Sequence, residues 1–305
     1  MSHAFSIDQL NHTLLLKLDS VSFYLEGEEV QRWCNGMFSN NIRKLQPSQG
    51  NYSAICDDRG RVQGFLFLYC LRKDRFLCLL DGISLEAFMK RFQMYMILDD
   101  IELEETGLQL LHCCGKTTKE TLKQNDLSIP ERGMIIESPK GFIFPSNRLG
   151  LQGYDILYTD PAWPEQLHNV NAISEEDANA IRIFQGRAKW PQDGSEKSMI
   201  HELGVNDECC AFDKGCYVGQ EIINRLDVKG LITKKIHRLQ LIKGEPIMTE
   251  TELFQGDRKM GRVSSFAIIS DSGENTCLGL GTIRKAAWEK GTELVSQGGL
   301  VWKVL

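Results

Sequence analysis

The sequence lacks any run approaching the roughly 18 uninterrupted apolar residues that a membrane-spanning helix needs. Met1 to Leu16 also lacks the basic start, apolar run and small-residue cleavage site of an export signal, so the expected compartment is the cytosol. Ten cysteines are present, but no C-x-x-C occurs, and Cys113-Cys114 and Cys209-Cys210 are adjacent pairs. That spacing suits neither zinc nor a ferredoxin cluster, and the thiols are expected to be reduced. His201-Glu202 is too close for an H-x-x-x-H zinc pair, and no metal site is expected. Positive charge is in short supply: 35 Lys and Arg against 41 Asp and Glu leave a net charge of −6. A general grip on nucleic acid, which needs clustered cations to displace counterions, is therefore not expected.

The 305 residues, 42% hydrophobic and 25% charged, suffice for two or three globular domains. Leu14 to Leu18 and Val21 to Leu25 read as short strands. Val30, Trp33, Cys34 and Met37 then recur at the spacing of a one-sided helix, which Ser39-Asn40-Asn41 closes as a turn. Asn51 to Cys56, Val62 to Leu71 and Arg75 to Leu80 are apolar and β-prone, with turn signals at Asp57-Asp58-Arg59-Gly60 and Lys73-Asp74, an antiparallel meander. A helix follows with Leu85, Phe88, Met89, Phe92 and Met96 on one face and Ser84 as its N-cap. Ile101 to Glu104, Leu108 to His112, Met134 to Glu137 and Tyr154 to Tyr158 continue the strands.

The clearest helix runs from an N-cap at Ser174, through Glu175, Glu176 and Asp177 in its first turn, to a glycine stop at Gly186. Gly186 to Cys210 reads as a polar loop in which Trp190 either stacks on a ligand or anchors local packing. Beyond residue 221 come a short helix to Leu226, a linker Asp227-Val228-Lys229-Gly230, and four strands, Lys235 to Ile242, Arg262 to Ile269, Cys277 to Ile283 and Leu300 to Val304. Short strands at this spacing indicate a small barrel or sandwich.

The stretch with most chemical promise is Lys214-Gly215-Cys216-Tyr217-Val218-Gly219-Gln220-Glu221. Its glycines describe backbone that turns sharply or lets another molecule come close. A lysine two positions before Cys216 would favour the thiolate if the side chains fold together. Tyr217 offers a flat face, and Gln220 and Glu221 a donor and acceptor edge. The alternative is a tight turn before a helix with an inert thiol.

This string resembles the signature of the YgfZ family of folate-binding proteins, relatives of the glycine cleavage system T-protein. Arg182-x-x-x-Gly186, the basic run Thr233 to Leu241, Gly36-Met37-Phe38-Ser39-Asn40-Asn41 and Asp58-Arg59-Gly60-Arg61 are similar to other segments of that family. The resemblance implies an α+β T-protein-like fold. A folate-binding region over residues 1–229 would hold two interleaved α+β units, the inserted one at about 50–130, and a β-barrel would occupy 230–305. It implies tetrahydrofolate or a one-carbon derivative as cofactor, with Lys214, Tyr217, Gln220, Glu221, Arg182 and Asn40 near the cavity and Cys216 as the working thiol. The implied partners are iron-sulfur client enzymes, including those that thiolate tRNA, with no membrane. Lys229, Lys234, Lys235 and Arg238 form either a solvated strand face or an attractant for folate's acidic tail.

Two other functions stay open, an aminomethyltransferase and a non-catalytic folate-sensing scaffold. The T-protein's Asp-Asp pair is replaced after Arg59-Gly60-Arg61-Val62 by Gln63-Gly64, and an amide exchanges no proton near neutral pH. Its Thr-Gly-Glu-x-Gly becomes Leu151-Gln152-Gly153, with Asp155 the carboxylate nearby.

Overall fold

The computed structural model describes residues 3–245 and 251–305. The meander expected from residue 51 forms as Gly50–Cys56, Val62–Arg72 and Arg75–Asp81, antiparallel neighbours in a five-stranded sheet that Ser22–Glu26 and Glu102–Glu105 complete. Its first turn is built by Asp57, whose carbonyl accepts from Gly60 N–H at 3.0 Å and whose carboxylate accepts from the N–H groups of Arg59 and Arg61 at 3.0 and 2.7 Å. Only a residue at ease with positive φ suits the corner, and Gly60 has φ +72°. The helix Leu85–Leu98 is capped by Ser84, which accepts from Ala87 N–H, and buries Phe88, Phe92 and Met96 against Phe23, Trp33 and Phe38.

A second sheet of six strands has the order Asn171–Ala172, Leu14–Leu18, Gln109–Cys114, Gly153–Tyr158, Gly141–Ser146 and Ile136–Ser138. Its Leu110, Phe142, Phe144 and Leu157 share a core with Phe67, Tyr69, Leu77 and Leu79 of the first sheet, so these two layers pack face to face.

The third sheet closes on itself. Arg258–Asp271, Thr251–Gln255, Glu293–Ser296, Val301–Val304, Lys234–Lys243 and Glu274–Arg284 follow one another, and the last pairs back with the first, a barrel of six strands. Ala4–Ser6, outside every expected strand, lies parallel to Arg258–Asp271 on the outside of this ring. Closure removes the unpaired edges an open sheet would present.

The helix Glu175–Gln185 joins the layers. Ser174 and Asp177 cap it reciprocally, and Gly186 ends it at φ +78°. Its Ala178 and Ile181 share a core with Leu14 and Leu16 of the second sheet and with Leu278 and Leu280 of the barrel. Arg238 of the barrel donates to its carbonyl at Phe184, at 2.7 Å.

Two expectations need correction. The loop from Gly186 to Cys210 contains two short helices, Ile200–Leu203 and Asn206–Cys209, held by buried Ile200, Leu203 and Cys209. The helix after the signature runs Gln220–Lys229 and absorbs most of the expected linker, because nothing stops it before Gly230 at φ +57°. Among the described residues no helix is long and apolar enough to cross a membrane.

Candidate functional site

Where the two sheets meet the central helix there is a cavity of about 250 Å³. Its aromatic wall comes from neighbouring strands of the first sheet. Tyr52 stacks on Phe65 with centroids 5.3 Å apart and planes 13° apart, and sits 4.6 Å from Phe67. Leu16, Leu18, Leu80 and Leu110 add apolar surface, and Glu175, Asn179 and Arg182 approach from the helix. Trp190 closes one side, passing so near Gly82 that a Cβ there would stand 2.7 Å from the Trp190 carbonyl oxygen. A second, more polar space of about 800 Å³ shares Tyr52, Phe67 and Arg187 with the first and continues toward Asn40, Asn51, Arg132 and Gln152.

Among the charged side chains lining the first cavity, Asp81 and Arg148 face each other. The Asp81 carboxylate accepts from the Tyr52 hydroxyl at 2.8 Å, and its other oxygen is 3.5 Å from Arg148 Nη1. Arg148 Nε donates to fully buried Asp155 at 2.6 Å, and Asp155 also accepts from His112 Nδ1 and Ser146 Oγ, both at 2.8 Å. Burial opposes the charge on Asp155, but Arg148 and His112 hold its carboxyl below the usual carboxylate range. Burial likewise works against a proton on His112, and Asp155 outweighs it, raising the imidazole to about 9. Arg148 Nη2 is buried with no hydrogen-bond partner among the described residues, as are His112 Nε2 and Arg182 Nε.

The residues singled out in the sequence separate into three places. Arg182 lines the first cavity, but its guanidinium is committed to Asp193 at 2.5 Å, to Ser265 at 2.7 Å and to Asn179 at 2.6 Å, so it ties helix, loop and barrel together. Asn40 lines the second space and donates to the carbonyls of Tyr52 and Glu208 at 2.9 and 3.1 Å. The signature residues lie elsewhere: none of Lys214, Cys216, Tyr217, Gln220 and Glu221 lines either cavity.

The expected pairing of Lys214 with Cys216 is not formed. The Lys214 ammonium donates to the carbonyls of Asn35, Phe38 and Asn40 at 2.7, 2.6 and 2.7 Å, capping the end of the helix Val30–Met37, where carbonyls have no partners of their own. Burial pushes this ammonium down to about 8. Tyr217 is buried in a cluster with Ala54, Cys56, Val62 and Phe65, a core position behind the cavity's aromatic wall. Gln220 reaches back to the Lys214 carbonyl at 3.4 Å, and Glu221 is exposed in the first turn of its helix. Cys216 itself is exposed. Three side chains of the basic run have local roles: Lys234 pairs with Glu202, Lys235 lies over Trp288 and Arg238 caps the central helix, while Lys229 is exposed at the end of its helix.

Gln63 donates to its own residue's neighbour, the Val62 carbonyl, and lines neither cavity. The carboxylates that do reach the first cavity, Asp19, Asp81 and Glu175, were not among the sequence candidates, nor were Tyr52, Phe67 and Arg148. Asp81 ends an apolar strand immediately before Gly82, the one local hint that it leaves the sheet at a turn.

No protein-family model matches the chain. Its fold is that of the glycine cleavage aminomethyltransferases: the crystal structure of aminomethyltransferase T from Bartonella henselae superposes with a TM-score of 0.84 over 96% of this chain and 85% of that one, at 16% identity. In sequence it is similar to a protein named tRNA-modifying protein YgfZ from Colwellia psychrerythraea, 24% identical over 280 residues, 85% of this chain and 82% of that protein. The YgfZ of Photorhabdus laumondii is 23% identical over 215 residues, covering 67% and 63%. An aminomethyltransferase of Staphylococcus carnosus is 20% identical over 289 residues, covering 90% and 79%. The chain is thus similar in sequence to proteins named YgfZ and to an aminomethyltransferase, and T-protein-like in fold.

Proposed function

We propose that the protein binds tetrahydrofolate or a one-carbon derivative in the first cavity. The observation that carries this reading is the Arg148 guanidinium, whose Nη1 lies 3.5 Å from Asp81 and whose Nη2 is unpartnered, on a cavity also lined by Tyr52, Phe65 and Phe67. A pteridine is flat, stacks on aromatic faces and has an edge of alternating donors and acceptors, which such a wall fits. Asp81 and Arg148 would hold its polar edge, and Trp190 would exclude water from one side. When bound, the folate supplies a one-carbon unit on its reduced ring.

The partner side of the proposal rests on the relatives' names and on the signature's resemblance. The protein supports tRNA-modifying enzymes in the cytosol, iron-sulfur enzymes among them, and Cys216 acts on the client rather than on the folate. Its exposure and its place outside both cavities favour a thiol that meets another macromolecule, where it can attack, be oxidised reversibly or ligate iron for a moment.

Titrating the purified protein with tetrahydrofolate, with Trp190 as fluorescent reporter, tests the first part. Saturable quenching is expected, and a flat titration would refute it. For the second, Cys216→Ala and Cys216→Ser are placed in cells lacking the protein. Failure of both to restore client activity is expected, whereas rescue by both leaves a scaffold with no chemical role for the thiol.

Asp81 favours a second reading, the aminomethyltransferase, because it puts a carboxylate in the cavity that the Gln63-Gly64 replacement had not led one to expect. Methylene-tetrahydrofolate formed from aminomethylated lipoyl carrier and tetrahydrofolate, and lost in Asp81→Asn, would establish it.

A further inference from the structure

Each nitrogen of the Arg148 guanidinium is in a different situation. Nε is fastened to Asp155 at 2.6 Å, Nη1 lies 3.5 Å from Asp81, and Nη2 is buried without a partner. The group cannot swing to find one. Asp155 is fixed in turn by His112 and Ser146, and the guanidinium rests 4.7 Å from the centre of the Phe67 ring. Beside it, Asp81 is held by the Tyr52 hydroxyl on Oδ2, which leaves Oδ1 facing Arg148 with lone pairs to spare. A guanidinium that can donate and a carboxylate that can accept, Arg148 and Asp81, therefore line the cavity side by side with Tyr52, Phe65 and Phe67.

We propose that this pair reads the lactam edge of a pteridine, with Arg148 donating to the oxygen on C4 and Asp81 accepting from the adjacent N3–H. The inference rests on the folate reading and adds to it the specificity of the site. A 4-amino pteridine carries an amino donor where the oxygen would be, and an unprotonated ring nitrogen where N3–H would be. It sets donor against donor at Arg148 and acceptor against acceptor at Asp81. A buried polar pair left mismatched discriminates far more strongly than a change in apolar contact. Asp155, His112 and Ser146 are positioning residues, acting only through Arg148.

Folic acid and aminopterin differ solely in oxygen against amino at C4, and their dissociation constants for the wild-type protein give the test. Folic acid is expected to bind at least about tenfold more tightly. Arg148→Lys keeps a cation next to Asp155 but gives up the rigid fork, and is expected to narrow the preference to within about threefold. Asp81→Asn, at the cavity's more exposed margin, is expected to narrow it too, and serves if the lysine variant fails to fold by circular dichroism. The ratio, unlike an affinity, is not moved by loss of structure alone. A wild-type protein indifferent to C4 or preferring aminopterin, or a ratio unchanged in the variants, overturns the lactam clamp and leaves the folate reading standing. Binding of neither compound, nor of tetrahydrofolate, overturns both.

Discussion

Gly60 and Gly219 lie back to back: a Cβ on Gly219 would stand 2.6 Å from the Asp57 carbonyl oxygen and 2.9 Å from Gly60 Cα, and one on Gly60 would stand 3.2 Å from the Gly219 carbonyl oxygen. Two stretches far apart in sequence, the turn after Cys56 and the signature loop, thus dock through bare backbone. The second signature glycine serves this contact rather than the approach of a ligand.

Gly219, at φ +84°, has neither space nor backbone freedom for a side chain, whereas Gly215 has open space around its Cβ position and no positive φ. Gly219→Ala is expected to cost about 2 kcal/mol or more, and Gly215→Ala to stay within about 0.5 kcal/mol. Urea unfolding of the two variants checks this.

Asp155 is the one carboxylate between two buried cations, Arg148 and His112. Replacing it by Asn leaves His112 without its counter-charge and Arg148 with Asp81 at 3.5 Å in place of Asp155 at 2.6 Å, and a loss of about 3–5 kcal/mol is expected. The same titration in urea measures it, and a loss below about 1 kcal/mol would mean that the two cations find other partners.

His112 makes stability depend on pH in a defined sense. Its folded value, raised to about 9, lies above the ordinary 6.5, so the native state binds the extra proton between those values. The contribution is complete below 6.5 and is lost as the pH rises through 9. Lys214, pushed down to about 8 by burial, acts in the opposite sense between there and 10.5, while exposed His3, raised above 6.5 by its hydrogen bond to Asp177, acts in the same sense as His112. Thermal unfolding between pH 6.5 and about 8 is expected to show the fall, and His112→Gln to make it shallower than His3→Ala does, because His112 is the buried one of the two.

Thiol reactivity follows burial. Cys216 is exposed, while Cys34, Cys56, Cys70, Cys78, Cys113, Cys114 and Cys209 are buried. Maleimide is expected to label Cys216 in the native protein before any of these seven, which react only on unfolding. Mass spectrometry of a labelling time course decides it.

Local chemistry was legible in the sequence where one short segment contains all of it. Ser174, Asp177 and Gly186 announce a helix because cap and stop lie within its own span. The apolar runs separated by Asp57 to Gly60 and by Lys73-Asp74 announce the meander in the same way. The cavity was not legible, since Tyr52, Asp81, Arg148 and Glu175 come from three sheet strands or their ends and one helix, and each looks ordinary beside its sequence neighbours. Lys214 shows the converse. Its nearness to Cys216 in sequence suggested a pair, but the carbonyls at the end of the helix Val30–Met37 make the stronger claim on its ammonium.

The division between a folate cavity and a separate exposed thiol is tested most directly by tetrahydrofolate titration of three proteins. Wild type and Cys216→Ala are expected to bind alike, and Asp81→Ala at least about tenfold more weakly. Binding that is lost with the Cys216 thiol and unaffected at Asp81 would contradict the assignment of the site.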